Sequence, residues 1–82
     1  MYKIYLTQRA LKDLKGIEID IQERIARKLK ECAAEPFKFA RKLINPKIGT
    51  FRLRVGDYRV IFDIEGEDIV VLRIGHRRDI DE

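Results

Sequence analysis

Large apolar residues occupy every second position along one stretch of the chain: Phe51, Leu53 and Val55, then Tyr58, Val60, Phe62 and Ile64. That period belongs to β-strand. The interruption at Gly56-Asp57 is a two-residue turn signal, so the stretch predicts a hairpin with Val55 opposite Tyr58. The register then pairs Arg54 with Arg59, Leu53 with Val60, Arg52 with Ile61 and Phe51 with Phe62. Residues directly opposite share a face, so the apolar set forms one side and Arg52, Arg54, Arg59, Ile61 and Asp63 form the other.

A third strand follows Glu65-Gly66-Glu67-Asp68, and the parity of that turn decides which half of it points inward. An even loop would drive Arg73 into the core opposite Val60, and an unpaired buried guanidinium is very costly. An odd loop is therefore expected, pairing Ile64 with Val70, Phe62 with Leu72, Val60 with Ile74 and Tyr58 with His76. It adds Arg73, Gly75 and Arg77 to the arginine face and leaves Ile61, Ile69 and Val71 there as exposed apolar surface. Gly75, opposite Arg59, would leave open space beside the basic cluster. So many guanidinium groups with few carboxylates among them repel one another unless an anion arrives, and a phosphodiester backbone fits that need.

Composition narrows the setting. Eighty-two residues suit one domain, 1–82, with a single core and a shallow site, and the net charge of +4 suits a nucleic-acid or acidic-protein partner. The chain has no serine or tryptophan, one histidine and one cysteine, Cys32. Those counts exclude internal disulfides and cysteine-based zinc sites, and no metal or cofactor is expected. The N-terminus runs straight into the strand-like stretch Tyr2 to Leu6, and no apolar run approaches the roughly 20 residues that span a bilayer. The expected setting is cytoplasmic, away from membranes. High Lys, Arg, Glu and Ile with little Asn, Gln or Met is the balance of thermophilic proteins.

The N-terminal half reads as scaffold. Thr7 can cap a short helix through Lys15 with Ala10, Leu11 and Leu14 on its apolar side and Gly16 as its stop. Asp20 and Glu23 have capping-box spacing for a second helix, whose stripe Ile21, Ile25, Leu29 and Cys32 runs on until Pro36. Cys32 on that stripe reads as a packing residue. The segment 37–49 reads as a long connection carrying Lys38, Arg41, Lys42 and Lys47. The expected architecture is α+β: an N-terminal strand, an antiparallel helix hairpin, then a three-stranded antiparallel meander with the helices on one face.

A β-α-α-β-β-β chain of this size with Leu-Arg-Val-Gly-Asp-Tyr-Arg-Val-Ile-Phe at 53–62 and Gly-His-Arg-Arg-Asp at 75–79 resembles the RelE/ParE superfamily of toxins from type II toxin–antitoxin pairs. Arg9-Ala-Leu-Lys-Asp-Leu14 also resembles the family's first helix. The resemblance implies either a RelE-like endoribonuclease, cutting messenger RNA in the ribosomal A site without a metal, or a ParE-like toxin directed at DNA gyrase. On the RelE-like pattern the functional basic residues fall on Arg52, Arg59 and Arg77. Two features depart from it. Thr50 stands where the pattern has a second lysine, and no tyrosine follows Arg77, the four-residue position being Asp81.

Metal-free RNA cleavage requires an activated 2′-OH, a stabilised phosphorane and a protonated leaving oxygen. Arginine suits the second task. Arg59 is the first candidate to stabilise the phosphate and Arg77 the second, with Arg52 orienting a phosphate or polarising the 2′-OH. Arg54, Arg73, Lys42, Lys47 and Arg78 are candidate RNA contacts. Arginine stays protonated near neutrality and makes a poor general acid or base. His76 belongs to the one residue type that titrates near neutral pH, but strand parity turns it toward Tyr58 on the core side. The implied partners are a RelB-like antitoxin, the ribosome and its mRNA. Gyrase inhibition, or a binding module without catalysis, is the alternative reading, and a solvated strand surface is the plain one. Asp79, Asp81 and Glu82 read as an acidic terminus.

Overall fold

The computed structural model describes residues 1–43 and 50–80. Strands β3 (Phe51–Val55) and β4 (Tyr58–Glu65), as numbered in chain order, form the expected hairpin, with Val55 opposite Tyr58, Arg54 opposite Arg59 and Phe51 opposite Phe62. Gly56 opens the turn at φ +60°, and no residue other than glycine has positive φ among the described residues. A single positive φ at the first turn position is the II′ arrangement, whose twist matches that of the strands it joins. Stacked rings of Phe51 and Phe62, with centroids 5.7 Å apart, close the far end of the hairpin.

The second turn corrects the odd-loop expectation. Strand β5 (Asp68–His76) returns through a two-residue turn at Gly66-Glu67, with Glu65 opposite Asp68 and Ile64 opposite Ile69. A β-bulge then resets the parity: Phe62 pairs with Val71 while Ile61 pairs with Arg73, leaving Leu72 as the extra residue. Beyond the bulge Val60–Ile74 and Tyr58–His76 pair as expected. The physical premise was sound, since Arg73 stays out of the core, but a bulge achieves it rather than the loop. Ile69 and Val71 consequently turn inward and are fully buried in the core, not exposed on the arginine face.

Two further strands complete a five-stranded sheet in the order β1-β5-β4-β3-β2. Strand β1 (Lys3–Leu6) lies parallel to β5, with Ile4 opposite Ile69. Strand β2 (Arg41–Lys42) pairs antiparallel with β3, so the segment expected to be a plain connection contributes an edge strand. A single turn of helix, α3 (Pro36–Phe39), precedes it, and Phe37 meets Phe51 edge to face.

The helices pack on one side of this sheet. Helix α1 (Gln8–Lys15) begins as expected, Ala10 N–H donating to the Thr7 hydroxyl at 3.1 Å, and ends at Gly16. Leu11 is 44% exposed, so only Ala10 and Leu14 of its expected apolar side reach the core. Helix α2 (Ile19–Ala34) starts one residue before Asp20, with Glu18 at the N-cap and no side-chain cap bond, so the Asp20/Glu23 box is not used. Its buried stripe of Ile25, Leu29 and Cys32, joined by Ala33, shares one core with Leu53, Val60, Phe62, Val71 and Ile74. Burial of side chains this size stabilises by about 1.5–3 kcal/mol each. No helix among the described residues is long and apolar enough to cross a membrane.

Where β1 stops, β5 continues without a strand neighbour on that edge, and α1 supplies the missing partners. The Thr7 hydroxyl donates to the Leu72 carbonyl at 3.3 Å, and an Asp13 carboxylate oxygen accepts from Ile74 N–H at 3.0 Å and from Arg73 Nε at 2.9 Å. Burial opposes ionisation of Asp13, yet Ile74 N–H and the Arg73 guanidinium, helped by Arg9, outweigh it and hold the carboxyl below its ordinary range. A depressed folded pKa means that Asp13 stabilises fully above the pKa of the unfolded carboxyl, and that this stability is lost as pH falls through the folded value. Asp13→Asn is therefore expected to cost about 1–3 kcal/mol at pH 7, with the gap to wild type closing below about pH 4, in urea titrations run across pH.

Cys32 is fully buried, and burial pushes its thiol up to about 11. Iodoacetamide at pH 8 should label it in denaturant but scarcely at all in the folded chain, because both access and thiolate are lacking. Rapid labelling of the native protein would contradict that placement.

Candidate functional site

The arginine face is assembled by cross-strand register. One rung carries Arg41 beside Arg52, then Ile61 and Arg73; the next carries Arg54 beside Arg59, then Gly75. Arg52, Arg54 and Arg59 thus share one face of the sheet, as expected from sequence. Arg41 joins them because β2 pairs with β3. Lys42 does not: it lies opposite Phe51, on the helix side, where it is exposed. Lys47 lies outside the described residues, as do Asp81 and Glu82.

The face is less open than the alternation implied. Arg54 is exposed, but Arg59 is only 7% exposed and Ile61 is fully buried. The Arg59 guanidinium is anchored by the turn beside it, one terminal nitrogen (Nη1) donating to the carbonyls of Gly56 and Tyr58, each at 2.9 Å. Nor does Gly75 leave open space. A β-carbon there would lie 3.0 Å from Cγ1 of Ile80, a residue that is itself 2% exposed. Arg73 is drawn from the cluster by Asp13, with a quarter of its side chain exposed.

Arg77 reaches the same hairpin end from the other direction. Its N–H donates to the Asp57 carbonyl at 2.7 Å and its Nε lies 3.9 Å from the Asp57 carboxylate, while most of the side chain stays in solvent. Asp57 therefore ties the C-terminal turn to the hairpin turn. Arg78 is exposed and its N–H donates to Nδ1 of His76 at 3.2 Å. His76 meets Tyr58 edge to face at 5.4 Å on the helix side, as parity requires. It is not directed at the arginine cluster.

Asp63, which shares this face with Glu65 and Asp68 at its far end, is engaged in structure, its Oδ1 accepting Thr50 N–H at 2.7 Å. Among the described residues no three His, Cys, Asp or Glu side chains are placed to hold a metal ion. The arrangement suits binding phosphate and stabilising negative charge, with guanidinium donors held in place by backbone and strand pairing. Sequence reasoning missed Asp13, Asp57 and Ile80 as organisers of the site. Asp57 was legible only as a turn residue, and nothing local marks the other two.

Residues 4–81 match the family model described as ParE toxin of type II toxin–antitoxin system, parDE. The chain belongs to this toxin family. Toxin RelE3 of Methanocaldococcus jannaschii is 30% identical over 82 residues, covering 95% of this chain and 93% of that protein. Toxin RelG of Mycobacterium tuberculosis is 30% identical over 82 residues, covering 96% and 94%. The fold agrees as closely: a chain of the RelBE2 toxin–antitoxin complex from Mycobacterium tuberculosis superposes with a TM-score of 0.83 at 28% identity, covering 93% of this chain and 98% of that one. The toxin family therefore shares the α+β architecture read from the sequence, with its N-terminal strand, helices and antiparallel strands.

Anchoring of Arg59 makes it structural as well as chemically placed. Arg59→Ala should lower stability by about 1–3 kcal/mol in urea unfolding, since two carbonyls lose their donor. Arg54→Ala, one residue across the same rung, should stay within about 0.5 kcal/mol of wild type.

Proposed function

We propose that this toxin is a metal-independent, ribosome-dependent endoribonuclease that cuts mRNA in the A site, and that a RelB-like antitoxin neutralises it. The observation that carries the reading is the gathering of Arg52, Arg54 and Arg59 on one sheet face, with Arg77 fastened to the turn beside them. Arg59, preorganised by two carbonyls, suits the developing charge of the phosphorane, and Arg77 is free to swing onto a second phosphate oxygen. Arg52, one rung away, orients the substrate. Arg54, Arg41 and Arg78 contribute exposed charge along the RNA backbone.

Proton transfer falls to groups outside this face. Asp63 is bound to backbone, Asp57 pairs with Arg77, Glu65 and Asp68 lie at the opposite end of the strands, and His76 faces the helix side, so on this reading the ribosome or the RNA supplies the acid and base. The antitoxin reading draws on the relative solved as a toxin–antitoxin complex and on the charge of the face, which carboxylates of a partner segment would complement.

A second reading has a specific observation in its favour. Asp81 stands at the position where the family pattern has its tyrosine, and Arg59 is nearly inaccessible, which suits a toxin that works by binding alone, with gyrase as its target. Adding the purified protein to a translating ribosome system with a defined mRNA and mapping 5′ ends separates the two. The ribonuclease reading expects cuts inside A-site codons that fall about 10²–10³-fold with Arg52→Ala or Arg77→Ala, the loss typical of removing one charge-stabilising donor. Intact messages from folded, ribosome-bound protein would reject it.

A further inference from the structure

The two arginines of one rung differ sharply in access. Arg54 and Arg59 are paired across β3 and β4 and point to the same face, yet Arg54 is exposed and Arg59 is 7% exposed. On the far side of Arg59 the rung continues to Gly75. Any side chain at that position would project onto the face that Arg59 occupies. Ile80 fills that place instead, its Cγ1 and Cδ1 lying 3.0 and 3.1 Å from where a β-carbon would sit, and it is itself 2% exposed.

Ile80 gets there by a tight reversal after β5. The N–H groups of Asp79 and Ile80 both donate to the His76 carbonyl, at 2.8 and 3.1 Å, and Arg77 N–H fixes the start of the turn to Asp57. The turn residues Arg77, Arg78 and Asp79 are all exposed. Ile80 is thus the one buried side chain among the described residues after His76. A short turn held by a few backbone bonds and the burial of one apolar side chain can open locally without unfolding the sheet.

We propose that this turn is a latch: Ile80, seated on Gly75 beside Arg59, screens Arg59 from anions in the closed state and exposes it when it lifts away. The inference rests on the reading of the arginine face as a phosphate-binding surface and adds that the surface is closed at rest. Glycine at position 75 provides the seat, because a larger residue would occupy the space that Ile80 uses. An RNA phosphate gains Arg59 only in the open fraction, so the apparent affinity of the face is lowered by that fraction. Arg54 and Arg77, which the latch leaves in solvent, attract the backbone first.

Arginine-selective labelling with phenylglyoxal, read residue by residue by peptide mass spectrometry, tests the latch without reference to any activity. In the wild-type chain Arg59 should react far more slowly than Arg54. Ile80→Ala should speed labelling of Arg59 by about tenfold, as expected when a minor open state becomes the major one, and leave Arg54 unchanged. Gly75→Ala, which presses on Ile80 without deleting it, should raise Arg59 labelling by a smaller factor, and circular dichroism should show both variants folded. Unchanged Arg59 labelling in the two folded variants overturns the latch.

A 2′-O-methyl RNA oligonucleotide, resistant to cleavage, gives the second readout by fluorescence anisotropy at fixed salt. Ile80→Ala should bind it several-fold more tightly, and Arg59→Ala added to Ile80→Ala should remove the gain. Faster labelling of Arg59 without tighter RNA binding upholds the latch and rejects the phosphate-binding reading of the face. Tighter binding that survives loss of Arg59 overturns the latch as the control on that residue.

Discussion

Strand parity would carry Arg73 into the core if β5 paired with β4 in one register throughout, and the cost of an unpaired buried guanidinium rules that out. The bulge at Leu72 is the answer that the chain adopts, and much of the remaining architecture depends on it. Before the bulge, Ile69 and Val71 point inward into the core; after it, Ile74 points inward and Arg73 outward. The outward turn is what lets Arg73 meet Asp13, and the same carboxylate takes the Ile74 N–H left bare where β1 ends. One charge thus closes a sheet edge, orients α1 against β5 and neutralises a guanidinium. It does so at the cost of removing Arg73 from the arginine cluster.

The other organising element is the turn at Gly56-Asp57. Its tightness comes from a glycine at positive φ, close to the Arg24 guanidinium, which stands 3.3 Å from the place of a β-carbon. From that turn the Gly56 carbonyl, with that of Tyr58, grips Arg59, and Asp57 holds the backbone of Arg77. Two arginines far apart in sequence are brought to one end of the hairpin by backbone groups whose own positions the β-ladder fixes. Preorganisation of this kind makes a row of strand arginines more than a charged surface, because the donors need not be ordered again when an anion binds. It also means that changing Arg59 disturbs packing as well as the charge of the face.

Much of the fold could be read from periodicity. The β3–β4 register, the inward apolar set, the Thr7 cap, the Gly16 stop and the α2 stripe all follow from local rules, and the structure carries them out residue by residue. What local rules could not reach were interactions that join distant segments: β1 beside β5, β2 on the edge of β3, Asp13 on Ile74, Ile80 on Gly75. The Asp20/Glu23 spacing shows the converse failure. Its pattern is right for a capping box, but Ile19 already lies in the helix and the first turn is set by Glu18 instead.

The sequence by itself determined which residues share a face, because a period of two leaves no choice once the turn is placed, and hence that Arg52, Arg54 and Arg59 lie together. Only the tertiary structure decided how open that face is. Accessibility depends on what folds back over a strand, and a tail residue such as Ile80 carries no local sign of its destination. Tertiary contact likewise decided which arginines stay in the cluster, since Asp13 claims Arg73 across sixty positions of chain, a separation that no pattern within a strand records.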